Sequence, residues 1–117
     1  MTSYRRGQVV LVVFPDSNLV TFKKRPALVV QDESVPTGLS QHIVAMITSN
    51  MARTGPTRVV VTKNSVTGRR MGLLTDSVVA TDNLATILDR EVAKVLGECR
   101  DMKAMDQALR VTLGLRR

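Results

Sequence analysis

Between residues 7 and 81 the chain carries five short valine-rich runs: GQVVLVVF, RPALVVQ, HIVAMITS, TRVVVT and DSVVAT. Each is rich in β-branched residues and bounded by Pro, Gly, Asn, Asp or Ser, which is the pattern of strands punctuated by turns. No helical pattern intervenes, so the runs point to an antiparallel sheet curled into a small barrel rather than to alternating strand–helix units. The pattern changes at Asp101, after which Met102, Met105, Ala108, Leu109, Thr112 and Leu113 fall on one helical face. That spacing predicts a C-terminal helix with Asp101 as N-cap and Gly114 as terminator. The intervening EVAKVLGEC, residues 91–99, fits a strand or a helical turn equally by periodicity. In 117 residues no polar or Pro/Gly-rich stretch is long enough to divide the chain, so one domain over 1–117 is expected.

Charge is distributed unevenly along this frame. The net charge is +7. Residues 1–70 hold ten Lys/Arg against three Asp/Glu, whereas residues 71–117 hold seven against seven. A one-sided basic field favours an anionic partner, of which nucleic acid is the commonest, although a merely soluble basic domain also fits. With no Trp, one Tyr and two Phe, the core must come from Val, Leu, Ile, Ala and Met, and base-stacking rings are scarce. A single cysteine, Cys99, excludes an internal disulfide and a cysteine-cluster metal site, and fits a reducing cytoplasm. The N-terminal Arg pair and apolar run imitate a secretion signal. That run spans only six residues, Val9 to Phe14, and ends in Pro-Asp, so it reads as the first strand. Nothing approaches the ~20 apolar residues of a membrane-spanning helix.

Strong enzyme signatures are absent: the chain has no Gly-rich phosphate loop, HExxH, CxxC or nucleophile elbow. Its only histidine, His42, opens the third run and reads by default as a strand-end residue. Cleaving RNA without a histidine pair or clustered carboxylates would fall to Arg, Lys, Ser and Thr. Arginine suits the phosphorane, because its planar, permanently charged fork matches two phosphate oxygens, but it is a poor proton acceptor. Two stretches carry such groups. In FKKRPALVV, Pro26 pushes Arg25 to extended geometry, with Lys23 and Lys24 ahead of it on a loop. A solvated charge run explains these three cations as well. In MITSN, an apolar strand gives way to Thr48, Ser49 and Asn50, donors that are also ordinary at strand ends.

Taken in order, RGQVVLVVFP, KKRPALVV, IVAMITSN, GLLTDSVVATDNLATI and MDQALRVTLGL resemble the MazF/PemK (Kid-like) toxins of bacterial type II toxin–antitoxin systems along nearly the whole chain. The resemblance implies an SH3-like antiparallel β-barrel (CcdB/PemK-like) with a C-terminal helix, forming a homodimer. It implies a cytoplasmic endoribonuclease that cleaves single-stranded RNA at short motifs with no metal or other cofactor, leaving a 2′,3′-cyclic phosphate and a 5′-hydroxyl. The family's catalytic Arg and Thr fall on Arg25 and Thr48. Arg25 would act on the scissile phosphate and in proton transfer, and Thr48 would support the transition state. Lys23, Lys24, Ser49, Asn50, Arg53 and Asn83 are the implied RNA-binding positions. By the same likeness VAKVLGEC, residues 92–99, becomes the last strand. The implied partner is an acidic, partly disordered antitoxin competing with RNA for the basic groove.

Two regions depart from the family. Where many members carry Gly-Ser-Glu-Gln before the catalytic Arg, this chain reads DSNLVTFKK, and Asn83 and Ala85 replace the usual Gln and Arg. The family's cleavage motif therefore does not carry over. A gyrase-poisoning toxin like CcdB, which shares the fold, and a catalytically silent RNA-binding module are the alternatives. A gyrase poison has no need of the RP and ITS residues.

Overall fold

A computed structural model describes residues 4–15, 18 and 20–115. Six strands, β1 (Gln8–Pro15), β2 (Phe22–Val29), β3 (Gln41–Thr48), β4 (Arg58–Val61), β5 (Ser77–Leu88) and β6 (Val92–Glu98), form one antiparallel sheet in the order β4-β5-β3-β2-β1-β6. A short helix α1 (Val66–Met71) joins β4 to β5, and α2 (Lys103–Leu113) follows β6. This is the expected mainly β fold with a C-terminal helix. The ring of strands is left open, with β4 and β6 as its edges.

Both faces of the sheet are covered, which is why its strands read as unbroken apolar runs. Along β1, Val9 joins Leu28, Ala45, Ile47, Val61, Met71, Val79 and Met105 on one face. Its neighbours Val10 and Val12 join Ala27, Val29, Val44 and Ile87 on the other. Helix α2 contributes Met105 to the first cluster and buries Ala108. Arg6 ties the N-terminal segment to this helix, donating to the Val30 carbonyl at 2.9 Å and pairing with Asp106.

Several local expectations shift. Helix α2 starts later than expected: Met102 is its N-cap, and Asp101 stands one residue outside, its Oδ1 accepting from Lys103 N at 3.0 Å. Gly114 terminates the helix in the left-handed region as expected, at φ 70°. Lys23 and Lys24 are not on a loop but in β2, paired across the β1 hairpin with Phe14 and Val13. The ladder to β1 orders them even though both are exposed. Of the divergent stretch 16–24, Asp16, Ser17 and Leu19 lie outside the described residues. The last strand starts at Val92 as expected but stops at Glu98, one residue before Cys99, and Glu91 closes the 3-10 turn Asp89–Glu91 ahead of it.

Helix α1 had no sequence signal, because six residues including Val66, Thr67 and Gly68 are too few and too poor in helix formers to build a periodicity. Its ends hold it in place: Ser65 Oγ accepts from Gly68 N at 2.9 Å, and Gly72 turns left-handed at φ 75°. The helix packs backbone to backbone on edge strand β6. A Cβ on Gly97 would stand 2.2 Å from the Arg70 carbonyl oxygen, and one on Gly72 2.3 Å from that of Leu96.

Candidate functional site

The site originates in a proline. Val30 N donates to the Ile43 carbonyl at 3.1 Å, whereas the Val29 carbonyl accepts from Gly7 N. Backbone groups alternate in direction along a strand, so those of Val30, Leu28 and Pro26 face β3. Pro26 has no N–H to offer there, and the β2–β3 ladder ends one residue short of it, at Ala27↔Met46. Past that point β2 stays with β1 (Val12↔Arg25, Val13↔Lys24) and β3 stays with β5 (Thr48↔Val78). Continuing the interrupted register sets Pro26 opposite Ile47 and Arg25 opposite Thr48, side chains of the latter pair on one face.

These four residues line a cleft of about 510 Å³. Lys24 and Ser49 line it as well, and β6 adds Lys94 and Leu96 from beyond β1. The segment Gly72–Thr75, led in by α1, and Ser77 of β5 complete the wall. The lining holds three cations, Lys24, Arg25 and Lys94, and no carboxylate. Some cations elsewhere are neutralised: Arg6 by Asp106, Arg58 by Asp82 at 3.0 Å and, more loosely, Arg5 by Glu98 at 3.9 Å. Among the described residues, none pairs with Lys24, Arg25 or Lys94.

The hydroxyls of the cleft differ in availability. Thr48 Oγ1 accepts from Asn50 N at 3.0 Å, which fixes its oxygen and leaves its proton free to donate. Ser77, nearly buried, donates to the Thr75 carbonyl at 2.9 Å and is thereby committed. The arrangement can hold a phosphate among three cations and direct a hydroxyl donor at it.

A family model described as "PemK-like, MazF-like toxin of type II toxin-antitoxin system" matches residues 5–113. The chain belongs to this toxin family. It superposes on an endoribonuclease in complex with its cognate antitoxin from a mycobacterial species with a TM-score of 0.73, at 26% identity over 98% of this chain and 99% of that one. The Mycobacterium tuberculosis toxin MazF-mt6 gives a TM-score of 0.72 at 25% identity, covering 96% of this chain and 100% of its own. A MazE–MazF complex from Deinococcus radiodurans, at 20% identity and TM-score 0.71 over 99% of this chain and 100% of that one, bears on the fold alone. No curated protein is significantly similar in sequence.

For a MazF-like chain, the cleft brings together four of the eight positions named from sequence: Lys24, Arg25, Thr48 and Ser49. Lys23, Asn50, Arg53 and Asn83 lie outside its lining. Asn50 serves the turn beside it, its side-chain oxygen accepting from Ala52 N at 2.9 Å. Asn83 sits in a three-residue excursion of β5, since Leu84 pairs with Ala45 but Ala80 with Met46. In that excursion Arg58, and then Thr57, hold the carboxyl of Asp82 below the usual carboxylate range. Sequence reasoning missed Lys94, which reaches the cleft because β6 returns beside β1 and pairs it with Leu11. The strand reading of 92–99 laid against the first run was the signal that would have found it. His42 lines a different cleft, of about 360 Å³, with its Nδ1 2.7 Å from Asp89 Oδ1.

Proposed function

We propose that this toxin is a metal-independent endoribonuclease that cleaves single-stranded RNA within the cleft between β2 and β3. The observation that carries the reading is the convergence of unpaired Lys24, Arg25 and Lys94 with the free Thr48 hydroxyl in a cleft with no carboxylate in its lining. The solved relatives described as endoribonucleases support it. The RNA's own 2′-hydroxyl loses its proton as its oxygen bonds the adjacent phosphorus, and the P–O5′ bond breaks as the 5′-oxygen gains one, so the net transfer of a single proton leaves a 2′,3′-cyclic phosphate and a 5′-hydroxyl. Arg25 stabilises the charge on the pentacoordinate phosphorus and hydrogen-bonds the oxygens that exchange protons, while Thr48 donates to a non-bridging oxygen. Preorganised charge of this kind is often the largest catalytic contribution. Lys24, Lys94 and Ser49 hold flanking groups, and Lys23, Asn50, Arg53 and Asn83 are candidates for RNA contacts further out.

Like the relative solved with its cognate antitoxin, the toxin is neutralised by a partner protein, here an acidic and partly disordered one that competes for the cationic cleft. It acts as a homodimer in the cytoplasm, a single domain over 1–117. Purified protein incubated with a long RNA in excess EDTA gives discrete fragments, and Arg25→Ala or Thr48→Ala abolishes them. Cleavage by the double variant at the wild-type rate refutes the assignment. Intact RNA together with inhibition of gyrase supercoiling would transfer the chain to the gyrase poisons.

A further inference from the structure

Phe22 opens β2 with 63% of its surface exposed. It is a costly place for a large ring in a chain that has so few. Tyr4, by contrast, is engaged within the fold, edge-on to His42 with 5.7 Å between ring centroids. Side chains alternate along a strand, so Phe22 shares a face of β2 with Lys24 and Pro26, both of which line the cleft. The ring stands two residues, ~7 Å, further out along that face. It is carried on paired backbone, because the β1–β2 ladder extends to Pro15↔Phe22. The adjoining cleft holds Lys24, Arg25 and Lys94 without a carboxylate. A flat apolar ring on a held strand beside unneutralised cations matches what a single strand of nucleic acid presents, with phosphates toward the charge and a base against the ring.

We infer that Phe22 is a base-stacking platform that seats one nucleotide base immediately outside the cleft, beyond Lys24 on the same face of β2, and so fixes the position of the strand that enters it. The inference rests on the RNA-cleaving reading above. Because the chain has no tryptophan, Phe22→Trp introduces a single reporter at the position in question. The probe is a 2′-O-methylated oligonucleotide copying a segment that the wild-type protein cuts; without a 2′-hydroxyl it cannot be cleaved. Its binding quenches the emission of the introduced indole, and Phe22→Trp keeps the wild-type KM. Phe22→Ala raises KM for the unmodified RNA roughly 5- to 150-fold with kcat unchanged, the range base–aromatic stacking gives on truncation to alanine. The exposed ring leaves no cavity behind, so a folding defect is not expected. Unchanged emission together with a wild-type KM for Phe22→Ala overturns the inference. So does a variant that keeps its KM for RNA but loses affinity for an acidic protein partner or changes its oligomeric mass. A wild-type protein that leaves RNA intact instead removes the underlying reading, and the wild-type control reveals that before any variant is compared.

Discussion

Lys94 offers a quantitative test of the cleft, because each contact between a cation and a single-strand phosphate adds about 0.7 to the slope of log affinity against log salt. With one phosphate each for Lys24, Arg25 and Lys94, the cleft contributes a slope of about −2.1, and Lys94→Ala reduces it to about −1.4. An approximately fourfold rise in salt then weakens binding through these contacts by roughly 18-fold in the wild type and roughly 7-fold in the variant. Fluorescence anisotropy of the uncleavable oligonucleotide across a salt series measures both slopes. Other contacts steepen both lines alike, so the difference of about 0.7 is the diagnostic quantity. Lys103→Ala, which removes an exposed cation at the start of α2 outside the cleft, serves as a charge-matched control and leaves the slope at its wild-type value. A Lys94→Ala slope equal to wild type means that Lys94 faces no phosphate, and the three-cation account fails.

Gly97→Ala sets a Cβ 2.2 Å from the Arg70 carbonyl oxygen and 2.6 Å from the Met71 carbonyl carbon, backbone atoms that no rotamer change relieves. A loss of about 1–3 kcal/mol in denaturant unfolding is expected, with slower RNA cleavage because α1 leads into the cleft wall; unchanged unfolding and cleavage would contradict the close packing of α1 on β6. Asp82→Asn tests the Arg58 pair. The folded-state pKa of Asp82 lies below its unfolded value, so its contribution is present above about pH 3.9 and fades as pH falls through the folded value. The variant is therefore less stable than wild type near neutrality by under ~1 kcal/mol, a gap that closes in acid, and a gap that widened there would refute the pairing. Burial, and secondarily Asp101, push the Cys99 thiol up, so a thiol reagent at neutral pH labels it slowly until denaturant is added; equal rates in the native and unfolded states would show that the side chain is accessible.

The strands were legible because Val-rich runs bounded by turn formers have few other solutions, and α2 was legible because Met105 and Ala108 recur at helical spacing. The resemblance carried the rest of the frame, including the strand assignment of 92–99. Helix α1 was not legible: its signal lies in Ser65 and Gly72 at its ends rather than in a repeating apolar face. Lys23 and Lys24 resembled a loop because charge is uncommon in a strand. The exposed outer end of a hairpin accepts charge once its partner strand supplies the hydrogen bonds. Around the cleft, residues adjacent in sequence were easy to group, as in KKR or ITS. Lys94 was hidden because its neighbours are set by a pairing to β1 across more than eighty residues of chain.

The place where the β2–β3 ladder stops has an implication for how such a chain can diverge. Arg25 and Thr48 are aligned by hydrogen-bond register in two strand pairs, the β1–β2 hairpin and the antiparallel β3–β5 pair, not by any loop between them. A segment such as 51–56, beyond the Asn50 amide that holds the Thr48 oxygen, is free to lengthen, shorten or change chemistry without moving either residue. An insertion of a single residue within β2 or β3, however, would turn one of the two to the opposite face. The fold therefore separates heritable variation into two compartments. Loop length and composition can drift toward new targets, while the strand segments from Arg25 to Val29 and from Val44 to Thr48 tolerate substitution but not insertion or deletion.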